Sequence, residues 1–304
     1  MRITKAVIPA GGRGTRLYPV TKSQPKEMLP LGTKPTIQGV AEEVVAAGAT
    51  DVLIVTGEAK RAVEDHFDPA DGEAPRDYAK GNRRPLFDFS RVKFYYTRQG
   101  SPRGLGDAIR YGERFVEDDH FIVALGDCII TSPEPAGPLC RMVRAHSEFA
   151  AAGTVLVQVV SLEATARYGI IDPGDALDAT AFEVLGIVEK PGPQAAPSRY
   201  AVCARYVFSP AIFGYLRDLE PGHGAEIQLT DAIQSMIGDG HRVVAVPLQR
   251  GEVRLDVGSF ESYSRAFFRT MLTDPNLGEG LSGYVANLLA HLADPSCPDP
   301  DAPI

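Results

Sequence analysis

Three observations predict an α/β protein with a doubly wound, mostly parallel sheet. Apolar strands alternate with helices from the start of the sequence, at 3–9, 36–47, 51–56 and 59–66. A glycine-rich loop follows the first strand, at the end of a parallel sheet where ligands bind. The 304 residues suffice for one extended domain with a small extension. We therefore expect a Rossmann-like sheet whose site lies beyond the carboxyl ends of its strands.

The loop after the first strand has the composition of a polyphosphate-binding loop. Glycines can turn consecutive N–H groups toward one anion because no β-carbon is in the way. Arg13, Lys22 and Lys26 add cations whose donors match phosphate oxygens. A glycine turn with solvated charges would have the same local pattern. The candidate nucleotide-binding residues of this loop are Ala10, Gly11, Gly12, Gly14, Thr15 and Arg16.

The loop differs from two common phosphate motifs and matches a third. It lacks the Gly-Lys-Ser/Thr ending of a P-loop and the third glycine of a dinucleotide-binding turn, which argues against a P-loop kinase or a dehydrogenase. Residues 11–16, GGRGTR, and 25–30, PKEMLP, together resemble the signature of the sugar-1-phosphate nucleotidyltransferases. The resemblance covers about 5–269 and is weakest at 69–90. It implies the nucleotidyltransferase fold, with Arg16 and Lys26 acting on a nucleoside triphosphate.

Charge and composition exclude several classes of protein. The net charge of −8 argues against a nucleic-acid binder, but residues 1–35 hold seven Lys or Arg and a single acidic residue, Glu27. Such a local positive field suits a small polyanion. No apolar run approaches a membrane span and no signal-peptide pattern is present, so we expect a cytoplasmic protein without a membrane partner. The four cysteines form no CxxC pair, so reduced thiols are expected and zinc is not.

The next segments contain the candidate base-reading residues. Residues 69–90 are rich in Pro, Gly and charge, which predicts a loop or lid. Its basic residues, Lys80, Arg83 and Arg84, fit a solvated surface at least as well as a contact with phosphate. A strand at 92–98 ends at Gln99, and a helix is predicted at 107–115. A glutamine amide offers the donor and acceptor that a pyrimidine edge needs. The resemblance implies that Gln99 and Gly104 contact the base; a simple turn residue is the alternative.

Two aspartates follow predicted strands. The strand at 120–125 leads to Asp127, and that at 253–255 leads to Asp256. Carboxylates at the mouth of a sheet suit a hard cation. The resemblance implies that this pair holds Mg²⁺, whereas a turn or cap role remains open for Asp127.

A third group of candidates lies in residues 168–172, YGIID, and 184–191, VLGIVEKP. The resemblance implies a sugar-phosphate site, in which backbone near Gly169 contacts hydroxyls, Glu189 accepts hydrogen bonds and Lys190 pairs with the phosphate. Neighbouring residues of a strand point to opposite faces. Glu189 and Lys190 can therefore serve one ligand only if the strand has ended there, which the following proline favours.

The remaining segments complete the expected architecture. Ser209 is predicted to cap a helix, and residues 226–233, EIQLTDAI, match the uridylyltransferase form of the family, with Glu226, Thr230 and Ile233 on one helical side. Further predicted elements are helices at 137–150, 260–271 and 281–293, strands at 154–160 and 200–208, and a mobile tail at about 294–304. We expect a nucleotidyltransferase domain at 1–270, with a nucleotide part to about 135 and a sugar-phosphate part at about 136–260. A C-terminal helix and tail at 271–304 follow.

The resemblance implies an enzyme that transfers a nucleotidyl group from UTP to α-D-glucose 1-phosphate, giving UDP-glucose and pyrophosphate. PKEMLP and EIQLTDAI favour UTP, whereas residues 16–19, RLYP, and 126–127, GD, are more similar to thymidylyltransferases and leave dTTP as an alternative. A catalytically silent nucleotide-sugar-binding relative is a second alternative. The resemblance also implies a homo-oligomer, a dimer or tetramer. Leu281, Val285, Leu288 and Leu292 give the last helix an apolar side.

Overall fold

The structure of the protein is a computed structural model that describes most of the chain. The described residues are 1–68, 87–294, 296–298 and 300–301. The predicted loop at 69–90 therefore lies mostly outside the described residues, as do several positions of the predicted tail at 294–304.

The first half of the chain alternates strands and helices as predicted. Its elements are β1 (Lys5–Pro9), β2 (Pro30–Leu31), β3 (Lys34–Pro35), α1 (Thr36–Ala46), β4 (Asp51–Thr56), α2 (Arg61–Phe67), β5 (Lys93–Arg98), α3 (Leu105–Arg110), α4 (Glu113–Val116), β6 (Phe121–Ala124) and β7 (Cys128–Thr131). The strands β1, β4 and β6 are continuous apolar runs with buried interiors. Such runs are typical of parallel strands that are covered on both faces.

The second half adds strands of both directions. Its elements are α5 (Gly137–Glu148), β8 (Gly153–Val159), β9 (Gly169–Ala176), β10 (Phe182–Glu189), β11 (Tyr200–Phe208), α6 (Ile212–Asp218), α7 (Leu229–Gly238), β12 (Val243–Pro247), β13 (Val253–Asp256), α8 (Phe260–Leu272) and α9 (Gly278–Ala293). No helix among the described residues is long and apolar enough to cross a bilayer.

Nine strands form one sheet in the order β5-β4-β1-β6-β11-β8-β12-β10-β9. The pairs among β5, β4, β1 and β6 are parallel, as predicted. Beyond β6 the sheet is mixed, because β11 runs antiparallel to β6 and β8, and β10 runs antiparallel to β12 and β9. A short turn closed by the Leu177 N–H to the Ala181 carbonyl joins β9 to β10, and so short a connection permits only an antiparallel pair.

Helices cover both faces of the sheet. Successive residues of β1 point to opposite faces, so Ala6 and Ile8 join one buried cluster and Val7 joins the other. The first cluster includes apolar side chains of α1, α2 and α5, and the second includes those of α3, α6 and α7. The doubly wound prediction is therefore confirmed, with the mixed second half as its correction.

Three local predictions are wrong. The helix predicted at 107–115 is two helices, α3 and α4, and between them a β-carbon on Gly112 would lie only 3.0 Å from Val7 Cγ2. Glycine there allows the chain to approach β1 closely and disfavours a continuous helix. The Ser209 hydroxyl does not cap α6, whose N-cap is Ala211. Glu226 has an extended backbone before α7 begins, so it does not share a helical side with Thr230.

The sequence pattern does not predict β7 or β12. β12 lies beside β8 in the large sheet, whereas β7 forms a separate two-stranded antiparallel sheet with β13. In that small sheet Cys128 lies opposite Asp256. Because Asp127 immediately precedes Cys128, the small sheet brings the two strand-end aspartates to neighbouring positions.

Candidate active site

The glycine loop begins directly at the end of β1, where Ala10 is buried and Gly14 takes left-handed backbone angles. Among the described residues, no acceptor receives the backbone N–H groups of residues 11–14. Gly11 and Gly12 are half-buried, whereas Thr15 and Arg16 are exposed. Unpartnered amides that follow a strand form a concave anion site. The loop therefore has the backbone donors that its sequence predicts.

Lys26 places a cation beside this loop. A β-carbon on Gly12 would lie 3.3 Å from Lys26 Nζ, and the same ammonium donates a hydrogen bond to Asp127. Burial lowers the pKa of Lys26, but the carboxylates of Asp127 and Glu27 outweigh burial and raise the pKa above its usual value. Burial alone would raise the pKa of Asp127, and the Lys26 ammonium instead lowers it. Both groups are therefore charged at neutral pH.

The two predicted metal-binding aspartates are joined through the backbone. The Val257 N–H donates to the Asp127 carbonyl at 3.1 Å. The Asp256 carboxylate accepts the Gly258 N–H at 3.1 Å, and a β-carbon on Gly258 would lie 3.1 Å from Arg16 Nη2. The Arg16 guanidinium thus lies near Gly258 and the Asp256 carboxylate. Among the described residues no cluster of three or more His, Cys, Asp or Glu side chains could hold a metal ion, so a metal here needs further oxygens from a ligand.

A buried ion pair supports Lys26 from behind. The Lys60 ammonium donates to the Glu27 carboxylate at 2.6 Å, and both side chains are almost fully buried. Burial raises the pKa of Glu27, and the cations of Lys60 and Lys26 offset this only in part. Glu27 follows Lys26 directly in one turn of 3-10 helix, residues 26–28. The ion pair therefore fixes the segment that carries Lys26.

The loop, Lys26 and Asp127 line a cavity of about 240 Å³, together with Gln99 and Gly104. A larger cavity of about 540 Å³ lies beside β7 and the end of α8. Its charged lining residues are Lys34, Glu42, Glu43, Glu134 and Asp274. Because Lys34 is paired with Glu42 and the other charges are negative, the larger cavity does not suit a polyphosphate. We therefore place the candidate site in the smaller cavity.

Gln99 lies at the end of β5 and is only 4% exposed. Its amide Nε2 donates to Asp107 Oδ2 at 2.7 Å. Gly104 has a φ of 108°, and a β-carbon there would lie 2.7 Å from the Ile227 carbonyl oxygen. Glycine at position 104 therefore lets segment 226–228 pack against the turn between Gln99 and α3. The sequence did not predict this contact.

The predicted sugar-phosphate residues form a second group on β9 and β10. Gly169 pairs with Glu189 in the antiparallel ladder, and the Thr230 hydroxyl donates to Glu189 at 3.1 Å. β10 ends at Glu189, and Lys190 has a φ of 46°. The chain therefore turns at the residue pair, as predicted. Lys190 Nζ lies 3.1 Å from Glu189 Oε1, so both side chains point to one place.

Arg254 joins the two groups. Its guanidinium donates to Asp256 at 3.3 Å and lies over the Tyr168 ring, 4.9 Å from the centroid. Tyr168 precedes Gly169, and its carbonyl accepts the N–H of Lys190 at 3.0 Å. The aspartate pair and the Glu189–Lys190 turn are therefore adjacent parts of one site.

Comparison with known proteins decides the family. A family model described as nucleotidyl transferase matches residues 5–271. The chain belongs to this family. A UTP–glucose-1-phosphate uridylyltransferase of Bacillus subtilis (strain 168) is 40% identical over 295 residues, covering 95% of this chain and 98% of the relative.

Two solved structures are similar to this nucleotidyl transferase over most of their length. The UTP-bound UDP-glucose pyrophosphorylase of Acinetobacter baumannii has a TM-score of 0.81 and 31% identity, covering 94% of this chain and 99% of that one. A UDP-glucose pyrophosphorylase complexed with UDP-glucose has a TM-score of 0.78 and 36% identity, covering 87% of this chain and 97% of that one.

Several residues of this nucleotidyl transferase site were missed by the sequence reasoning. They are Glu27, Lys60, Asp107, Tyr168, Thr230 and Arg254. Glu27, Tyr168 and Thr230 lie inside motifs that the sequence analysis singled out, so their position was a usable signal. Thr230 was named there only for the helical side that it was predicted to share with Glu226 and Ile233. Lys60 immediately precedes α2 and Arg254 lies in β13, and nothing in the sequence distinguishes either from a solvated charge.

Proposed function

We propose that this nucleotidyl transferase joins UTP to α-D-glucose 1-phosphate. An oxygen of the sugar phosphate bonds to the α-phosphorus of UTP, the bond from that phosphorus to the bridging oxygen breaks, and pyrophosphate leaves with UDP-glucose as the other product. The observation that carries the proposal is the position of the Lys26 ammonium, which donates to Asp127 and lies close beside Gly12 of the glycine loop. Arg254 connects the neighbouring Asp256 to Tyr168 and so to the Glu189–Lys190 turn. The names of the relatives support the same substrates.

The protein has no need of its own nucleophile. The attacking oxygen of a sugar phosphate is already anionic at neutral pH, so catalysis consists of alignment and charge neutralisation. In this proposal Lys26 and Arg16 neutralise the triphosphate and Lys190 pairs with the sugar phosphate. Residues 10–16 bind phosphate through backbone N–H groups, and Gly169 and Glu189 hold the sugar hydroxyls.

The aspartates fit a divalent cation, which we propose is Mg²⁺. Mg²⁺ binds proteins through one or two carboxylates and completes its shell with water and substrate phosphates. Asp127 and Asp256 supply two hard oxygen donors, and within the part of the chain that the structure describes no third His, Cys, Asp or Glu joins them in a metal-binding group, which matches that preference. When bound, the ion would offset negative charge on the phosphates. The Lys26 ammonium, held by Asp127 in the structure, offers the same kind of charge to the triphosphate.

The proposed function assigns each substrate to a different part of the chain. We infer a nucleotide part at about 1–135 and a sugar-phosphate part at about 136–260, since the glycine loop and Gln99 precede this division and the Glu189–Lys190 turn follows it. In the C-terminal part, 271–304, Leu281, Val285 and Leu288 are half-buried and Leu292 is exposed. A homo-oligomer remains a prediction that sedimentation at micromolar concentration would check.

The test is pyrophosphate release with glucose 1-phosphate and Mg²⁺, comparing kcat/KM for UTP, dTTP, ATP, CTP and GTP. UTP should give the highest value. Thymine presents the same hydrogen-bonding edge as uracil and differs by one methyl, which is worth only about 1–3 kcal/mol in a pocket, so dTTP is the closest competitor. The ribose 2′-hydroxyl, which dTTP lacks, is the second difference between the two substrates. A tenfold preference for dTTP would contradict the assignment of UTP, and turnover of no triphosphate would support the silent relative.

A further inference from the structure

The amide of Gln99 is held in one orientation by a buried carboxylate. Gln99 Nε2 donates to Asp107 Oδ2 at 2.7 Å, and Asp107 is 1% exposed. The other end of the amide faces the glycine loop, since a β-carbon on Gly11 would lie 2.9 Å from Gln99 Oε1. Gln99 and Gly11 both line the cavity of about 240 Å³. The amide oxygen is therefore at the wall of the candidate nucleotide site.

The chemistry of the carboxylate decides which way the amide points. An ionised carboxylate only accepts hydrogen bonds, so the amide nitrogen has to face Asp107 and the oxygen has to face away. Reversing the amide would set two acceptor oxygens against each other in a buried place and leave both unpaired. The second oxygen of Asp107 receives Arg103 Nη2 at 3.0 Å. Arg103 therefore contacts the carboxylate oxygen that Gln99 does not use, and the direction of the amide depends on Asp107 Oδ2.

We propose that Asp107 fixes the Gln99 amide so that the site selects uracil over cytosine; this rests on the proposed function, in which Gln99 contacts the base. Uracil presents an N3–H donor between two carbonyl oxygens, and the fixed Gln99 Oε1 can accept from it. Cytosine presents an acceptor at N3 and a donor at its amino group, so the fixed amide oxygen would face a lone pair. Glutamine alone could rotate to suit either base, whereas the pair with Asp107 cannot.

The proposal predicts a change in selectivity rather than in general activity. In Asp107→Asn the new amide can donate as well as accept, and in Asp107→Ala the restraint is absent, so the Gln99 amide can reverse. The ratio of kcat/KM for UTP to that for CTP, with glucose 1-phosphate, should fall by about tenfold to a hundredfold in both variants. A purely structural role for Asp107 would reduce both values in parallel, and an unchanged ratio would overturn the proposal.

Two controls locate the effect. Arg103→Ala removes the partner of Asp107 whose side chain is 60% exposed, and it should leave the ratio unchanged. In a Gln99→Ala background, Asp107→Asn should cause no further change of the ratio, because no amide remains to be oriented. A further fall of the ratio in that background would mean that Asp107 acts by another route, which would contradict the proposal.

The wild-type protein gives a result that does not depend on the folding of a variant. CTP should be used at least about tenfold less well than UTP, and equal use would overturn the proposal. Calorimetric binding of UTP and CTP without glucose 1-phosphate separates this inference from the proposed function. The protein could bind UTP in preference to CTP, lose that preference in Asp107→Asn, and yet turn over no triphosphate. That result would contradict the proposed function and leave the inference about Asp107 intact. Turnover of UTP, with a UTP-to-CTP ratio of kcat/KM that Asp107→Asn leaves unchanged, would contradict the inference about Asp107 and leave the proposed function intact.

Discussion

The proposed nucleotide side and the proposed sugar-phosphate side of the candidate site hold their charged groups in different ways. On the nucleotide side Lys26 and Asp127 contact each other with side chains 15% and 19% exposed, and the almost fully buried pair of Glu27 and Lys60 lies behind them. On the sugar side Lys190 is 36% exposed and contacts only its neighbour Glu189 among the ion pairs of the described residues.

Lys26 and Lys190 therefore differ in how firmly the protein holds them before substrate binds. Buried partners keep Lys26, the cation proposed to bind the triphosphate, in place before any substrate arrives, which lowers the cost of reorganisation. An exposed lysine at a chain turn can adjust to its ligand, but it gains less from each contact because water screens its charge. We therefore expect substitutions in the buried pair on the nucleotide side to lower stability and substitutions of its aspartates to lower turnover, whereas substitutions on the sugar side should affect mainly substrate binding.

The largest effect should come from breaking the buried ion pair. Lys60→Met leaves the Glu27 carboxylate without its partner in a buried place, and the free energy of unfolding should fall by about 3–5 kcal/mol. Urea denaturation measures this. The matched control is Arg265→Met, at the exposed pair of Arg265 and Glu261, which should show no measurable loss. Equal stability of Lys60→Met and wild type would mean that the nucleotide side is not preorganised by this pair.

The aspartates come next. Asp127→Ala and Asp256→Ala should each lower kcat by about 10²-fold or more while the protein stays folded, because each variant lacks a carboxylate proposed to hold the metal. Initial rates over a range of Mg²⁺ concentrations, with circular dichroism for folding, measure this. Asp119→Ala, at a surface carboxylate 2.9 Å from Lys5, is the control and should keep full activity. Wild-type turnover in folded Asp127→Ala would exclude the metal assignment.

A third prediction uses a buried polar group that carries no charge. His146 bridges His120 at 2.7 Å and the Thr154 hydroxyl at 2.9 Å, and burial, followed by the neighbouring His120, lowers the pKa of His146 to about 3. The unfolded chain binds a proton here near pH 6.5 and the folded chain does not, so stability falls as pH drops below about 6.5.

Between pH 7 and pH 5 the contribution of His146 should amount to about 2 kcal/mol of lost stability. His146→Gln keeps a donor and an acceptor without a titrating ring, so its free energy of unfolding should fall by about that much less over the same range. Urea titrations at both pH values compare the two proteins. If the free energy of unfolding fell equally in wild type and variant between pH 7 and pH 5, His146 would be protonated in the folded state at pH 5.

The smallest effect distinguishes the two lysines. Lys26→Ala should impair use of the triphosphate, and Lys190→Ala should raise mainly the KM for glucose 1-phosphate, by about tenfold, as expected for one partly exposed charge. Arginine should not fully rescue either variant, because its planar fork does not reproduce a compact ammonium. Steady-state kinetics with each substrate varied in turn give the comparison. Identical kinetic profiles would remove the distinction between the two sides.

The sequence by itself determined the doubly wound first half and most of the candidate site. Continuous apolar runs such as residues 51–56 define buried strands, and the glycine loop, Lys26 and Asp127 follow such strands directly. Local order of this kind depends on residues close in the chain, so periodicity and motif spacing reveal it. The turn at Lys190 was predicted for the same reason, since its proline neighbour acts locally.

Only the tertiary structure decided which distant residues meet. The pairing of β7 with β13 sets Asp127 beside Asp256, and Lys60, Asp107 and Arg254 gain their roles from partners that no local pattern marks. The mixed second half, in which β8 and β12 are parallel and the other pairs antiparallel, likewise depends on strand order rather than on the composition of any strand. A buried polar contact is stabilised by the burial that the whole fold creates, and that burial is a property of packing between segments far apart in the chain.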